Sequence, residues 1–98
     1  MAILKNGMSI RCRTQEERDI FFEVSQKEGW TWNGTQTMEP LQYNYLPISF
    51  ELGLRRKGKV TWGDVDRNYN GFQNIEASQL FHNHLISRRL KHGRNSTE

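Results

Sequence analysis

Residues able to do chemistry are few in this chain, and the most specific string is Asp66-Arg67-Asn68-Tyr69-Asn70-Gly71. Its D-x-N-x-N-G form sets oxygen donors at alternating positions and a glycine at a sharp turn, as in the first half of a calcium loop. The second half departs from that pattern. The eighth position is Gln73 rather than an apolar residue, and the twelfth is Ala77 where a bidentate Glu belongs, with Glu76 one place early. The preceding Lys59–Gly63 run, KVTWG, reads as a strand, not an entering helix. Asx-rich turns also form without metal, because their side chains bond their own backbone. No metal and no other cofactor is expected.

His82-Asn83-His84 is a second candidate. On a helix, two residues two apart diverge by about 200°. Only an extended segment would turn both rings to one side as metal ligands, and no third ligand is evident. Cys12, the only cysteine, excludes an internal disulfide and reads as a small core residue. Asp64, Asp66 and Glu76 are carboxylates of the kind acid–base chemistry uses, but nothing else in the sequence converges on them. With no complete catalytic motif, the chain is read as a non-enzyme.

Charge and aromatic residues carry the remaining signal. The net charge of +3 is unevenly spread. Residues 1–40 hold five Lys/Arg against six Asp/Glu, whereas cations gather at Arg55, Arg56, Lys57 and Lys59 and again at Arg88, Arg89, Lys91 and Arg94. Such patches attract nucleic acid or an acidic protein face. A solvated turn and a helix C-terminus, where cations oppose the macrodipole, would carry the same residues. Tyr43, Tyr45 and Tyr69 join Trp30, Trp32, Trp62 and Phe72 as aromatics beyond what one modest core requires. Beside cations they can stack nucleobases; with arginines they can form a protein–protein hot spot. As sheet residues they would simply cover a helix.

The elements that must position these groups follow from periodicity and punctuation. Asn6-Gly7 signals a tight hairpin pairing Lys5 with Met8 and Ile3 with Ile10, with Ile3, Met8, Ile10 and Cys12 sharing one face and Ser9, Arg11 and Arg13 facing out. Thr14-Gln15-Glu16-Glu17 is a capping box: the Thr14 hydroxyl accepts the Glu17 N–H, and the Glu17 carboxylate reaches back to the N–H of Thr14. A helix should run from Gln15 to Glu28 and stop at Gly29, burying Ile20, Phe21 and Val24. Phe22 points away from that stripe, so it is either covered by a second layer or exposed as a contact residue. Trp30–Trp32 reads as a strand. Leu41, Tyr43 and Tyr45 alternate, Pro47 implies a bulge or an edge position, and Ile48–Leu52 forms a hairpin with Val60 and Trp62 across the basic turn. A last helix should span about Ile75 to His92, ending at Gly93 and leaving Ile86 and Leu90 off its buried stripe. The expected fold is α+β: an antiparallel sheet of four to five strands, one helix on a face and a C-terminal helix at the edge. Residues 1–93 form the domain and 94–98 a flexible tail. No apolar run approaches the ~20 residues of a membrane span.

The order strand, capping-box helix, GWTWNG, KVTWG and NIEASQL resembles a loose group of small phage and prophage proteins. The matching stretches are Ile10–Gly34 and Lys59–Leu80. The resemblance supplies no catalytic residues. It implies a phage accessory protein in the host cytoplasm that binds and disables a host or anti-phage-defence macromolecule, for example a nuclease or a CRISPR-type nucleoprotein. A basic nucleic-acid-binding module is the alternative, and a metal-dependent enzyme using residues 64–84 the third reading. The residues expected to meet the partner are Arg55, Arg56, Lys57, Lys59, Arg88, Arg89, Lys91, Tyr43, Tyr45, Tyr69 and Phe22.

Overall fold

The computed structural model describes residues 2–33, 38 and 45–97, with the backbone alone from residue 91. Its elements are β1 (Met8–Cys12), α1 (Gln15–Lys27), β2 (Thr31–Trp32), β3 (Ile48–Leu52), β4 (Lys59–Gly63), β5 (Gln73–Glu76), α2 (Ala77–Leu80) and α3 (His82–Thr97). The fold is α+β, and the sheet order is β2-β4-β3-β1-β5.

The sheet is mixed, not antiparallel. β3 runs antiparallel to β1 and β4, but β1 pairs parallel with β5 and β2 parallel with β4. The reason is connectivity. A tight turn reverses a strand, whereas a crossover returns it in the same sense. Here α1 carries the chain from β1 to β2, and the 64–72 loop carries it from β4 past β3 and β1 to β5.

α1 begins as its capping box predicts: the Glu17 N–H donates to Thr14 Oγ1 at 3.2 Å. The return bond falls one residue earlier than expected, since Glu17 Oε1 accepts the N–H of Arg13 at 2.9 Å. Gly29, at φ +83°, takes the left-handed position beyond the C-cap Glu28. The helix lays Ile20, Phe21, Phe22 and Val24 on the sheet face made by Ile10, Cys12, Ile48, Phe50, Leu52 and Val60. Phe21 stacks flat on Phe50 at 4.2 Å between centroids. Phe81 and Leu85, after α2, extend this core.

Several expectations need correction. Asn6-Gly7 is a turn but closes no hairpin. Asn6 keeps a negative φ and its Oδ1 accepts the Gly58 N–H at 2.9 Å, while Glu28 takes the N–H groups of Ile3 and Leu4 at 2.7 and 3.0 Å. Residues 3–4 are thus tied to the end of α1 instead of to β1. Ser9 does not face solvent: the second face of the sheet is also covered, and its hydroxyl donates to Glu51 Oε2 at 3.0 Å, both residues being buried. The 64–72 loop crosses this face, where Asp64 O accepts from Ser49 Oγ and Asn68 Oδ1 from Arg11 Nη2. Pro47 makes neither bulge nor edge; it precedes β3, the middle strand, after a cis peptide bond with Leu46. Residues 73–76 are strand because Ile75 pairs with Ile10 in the β1 ladder, so the helical run starts at Ala77 and breaks at Phe81. Gly93 does not end α3, which continues to Thr97 through the segment expected to be a tail. The expected alternation of Leu41 and Tyr43 lies outside the described residues.

Candidate functional site

The exposed cations of the β3–β4 turn and the exposed Tyr45–Trp62 pair occupy opposite ends of the sheet. β3 meets Cys12 and Gly63 near its start, and Leu52 faces Val60 near its finish. Its five residues separate the two ends by about 16 Å at 3.3 Å per residue.

At one end the β3–β4 turn presents Arg55, Arg56 and Lys57, all exposed. Its shape is fixed from beneath. Gly53, at φ +81°, lies so close to Asn6 that a Cβ there would collide with that side chain. The Gly53 N–H donates to Lys59 O at 2.8 Å, and the Gly7 N–H to Leu52 O at 2.7 Å. Lys59 does not belong to this exposed group. Its register beside Thr31 leaves it half-buried, with Nζ donating to Thr31 Oγ1 at 2.7 Å.

The second basic group is differently placed from what the sequence implies. Arg88 and Arg89 sit in the middle of α3, so the helix C-terminus does not account for them. Arg88 Nη2 pairs with Glu23 Oε2 on α1 at 2.9 Å, so its charge is met within the molecule. Arg89 is exposed. The side chains of Lys91 and Arg94 lie outside the described residues. Ile86 and Leu90 are exposed on the same helix.

The aromatics divide sharply. Phe22 is not a contact residue: only 3% exposed, it packs edge-on against Phe21, Phe50 and Trp32, with the Arg18 guanidinium 5.7 Å from its ring centre. β2 supplies the covering layer that the helix pattern alone could not reveal. Tyr69 is half-buried and meets Phe72 edge-on. Tyr43 lies outside the described residues. Tyr45 and Trp62 are 50% and 46% exposed and stack on each other, 5.6 Å between centroids and 17° between planes.

This stack borders a cleft of about 540 Å³ at the other end of the sheet, lined also by Arg13, Pro47, Asp64 and Asp66. Arg13 makes a two-pronged pair with Glu76, Nε to Oε1 at 2.8 Å and Nη2 to Oε2 at 2.9 Å. The bond raises the guanidinium's already high pKa and lowers the Glu76 carboxyl below its ordinary value. Sequence reading missed this cleft as a unit. The stretch that closes it holds Asp64 and Asp66 just after Trp62, but nothing local brings Arg13 or Tyr45 to them.

The other candidates take structural roles. Burial first, then the nearby Glu17, pushes the Cys12 thiol far up, which disfavours the reactive thiolate. In the 66–71 loop, Asn68 Oδ1 accepts from both Arg11 and Asn74, at 3.0 and 2.8 Å, so a guanidinium stands beside an oxygen that a calcium loop would turn inward. His84 is half-buried and edge-on to Phe81, while His82 is exposed. Among the described residues no three or more His, Cys, Asp or Glu side chains are grouped to hold a metal ion, and no helix is long and apolar enough to cross a membrane.

Comparison with protein-family models, curated proteins and solved structures gives no match to this chain. Its class is therefore argued from its own surfaces.

Proposed function

We propose that this chain is a non-catalytic binding protein that docks on a macromolecule and blocks it. The observation carrying this reading is the Tyr45–Trp62 stack, two large rings about half exposed beside a polar-rimmed cleft. Rings of this kind gain most when a partner removes them from water, and Trp, Tyr and Arg dominate protein–protein hot spots. Arg55, Arg56 and Lys57 supply a separate electrostatic anchor for an acidic or phosphate-bearing patch. The resemblance to small phage proteins extends the reading: the target is a host or anti-phage-defence macromolecule such as a nuclease or a CRISPR-type nucleoprotein.

A second reading, a basic nucleic-acid-binding module, draws on the same exposed turn. It is weakened because the exposed cations of the basic turn lie at the other end of the sheet from the rings, and Arg13 beside them is paired with Glu76. Single-strand binding interleaves cations with stacking aromatics, whereas Tyr45 and Trp62 have Asp64 and Asp66 as neighbours.

Capture from a nuclease-treated bacterial lysate, repeated as salt is raised, separates the two. A protein target is retained through moderate salt in a stoichiometric complex and is lost by the Arg55→Glu, Arg56→Glu double variant. Loss of capture on nuclease treatment, with a steep fall in affinity as salt rises, would transfer the function to nucleic acid.

A further inference from the structure

The cleft between the aromatic stack and the 63–66 turn has a net charge opposite to that of the chain. Among the described residues Arg13 is its only lining cation, and Glu76 neutralises it through two hydrogen bonds. Asp66 lies within electrostatic reach of the same guanidinium, further satisfying it. The rim therefore carries two exposed carboxylates, Asp64 and Asp66, against one guanidinium that Glu76 already pairs through both oxygens. Asp64 gives one oxygen, Oδ1, to the Asp66 N–H at 3.1 Å and keeps the other. The Tyr45–Trp62 stack lines the same cleft, with exposed Pro47 adding apolar surface.

A cleft lined by both carboxylates and stacked rings selects among ligands. Phosphates and acidic side chains are repelled by Asp64 and Asp66. A neutral ring stacks but makes no use of the carboxylates. A flat cation satisfies both: it lies on the indole face through cation–π attraction and donates its N–H fork to a carboxylate. Arginine fits better than lysine, because its guanidinium is planar, weakly hydrated and able to stack and donate at once. The volume of about 540 Å³ admits one or two such side chains, within the range of small-ligand sites.

We propose that this cleft receives an arginine side chain from a basic segment of the partner protein. The proposal rests on the docking role argued above and gives one of its two contact surfaces a chemistry. The molecule then meets its partner with cations at one end of the sheet and a cation receptor at the other, which suits a target carrying both signs of charge.

The test uses short blocked peptides, acetyl-Gly-Arg-Gly-amide and its Gln and Glu counterparts, titrated into the full chain while the Trp62 indole N–H is followed by NMR. The Trp62→Phe variant assigns that signal. The Arg peptide should move it saturably, and the Asp64→Asn, Asp66→Asn variant should bind at least five-fold more weakly. Asn retains the Oδ1 acceptor for the turn, so the fold is kept. Equal shifts with Arg and Gln peptides would overturn the proposal in favour of a merely apolar surface. A preference for Glu would overturn it by making Arg13 the recognition group, and so would undiminished Arg binding in the Asn variant. The docking role has its own readout: if Tyr45→Ala, Trp62→Ala abolishes capture of the target while no Arg peptide binds, docking stands and the arginine assignment falls.

Discussion

The two ends of the sheet share strands β1, β3 and β4 yet expose opposite chemistry, and they are held by different means. The basic turn is underpinned by side chains that accept backbone N–H groups: Asn6 accepts from Gly58, and the Glu28 carboxylate secures the segment leading to Asn6. The aromatic end is held by side-chain pairing and packing: Arg13 on Glu76, the Ser49 hydroxyl on the Asp64 backbone carbonyl, and ring on ring. Rigid support under the cations fixes where three like charges project. At the aromatic end, the pairing of Arg13 leaves the cleft's sign to Asp64 and Asp66. Position is the more determined quantity at one end, and sign at the other.

The difference can be broken from the basic side first. Glu28→Gln should have the largest effect on stability, about 1.5–3 kcal/mol, since a carboxylate accepting two backbone N–H groups is replaced by an amide oxygen. Urea denaturation reads the loss, and amide exchange should rise at Ile3 and Leu4 while that at Trp62 is unchanged. Gly53→Ala should follow at about 2 kcal/mol, combining a left-handed backbone with a collision against Asn6. Its melting temperature should fall, and the turn carrying Arg55 and Arg56 should shift in NMR. On the aromatic side, Thr14→Ala removes the N-cap next to Arg13 and should cost about 1 kcal/mol. An unchanged denaturation midpoint would mean that the cap contributes nothing to this end.

Local rules recovered the pieces whose signal is local. The Thr14 cap, the stop at Gly29, the Ile20–Phe21–Val24 stripe and the hairpin across the basic turn were all legible, as was the exposure of Arg55 and Arg56. The rest depended on neighbours distant in sequence. Asn6-Gly7 has the chemistry of a hairpin turn, but Gly58 competes for the Asn6 side chain and Glu28 for the preceding N–H groups. Phe22 is buried because β2 lies over it, a fact of sheet order. Ile75 fits a helical stripe and a strand equally until its pairing with Ile10 is known. Strand direction is set by crossovers, which periodicity does not encode. The cleft was hidden for the same reason: it joins residues 13, 45, 62, 64 and 66 through the register of three strands.

The central claim is that binding draws on both ends of the sheet. Its most direct measurement is the affinity for the captured target of two double variants, Arg55→Glu with Arg56→Glu and Tyr45→Ala with Trp62→Ala. Each should bind at least ten-fold more weakly than the unmodified chain, about 1.4 kcal/mol, while remaining folded. Full binding by either folded variant would contradict the account, and full binding by both would shift attention to the exposed Ile86, Arg89 and Leu90 of α3.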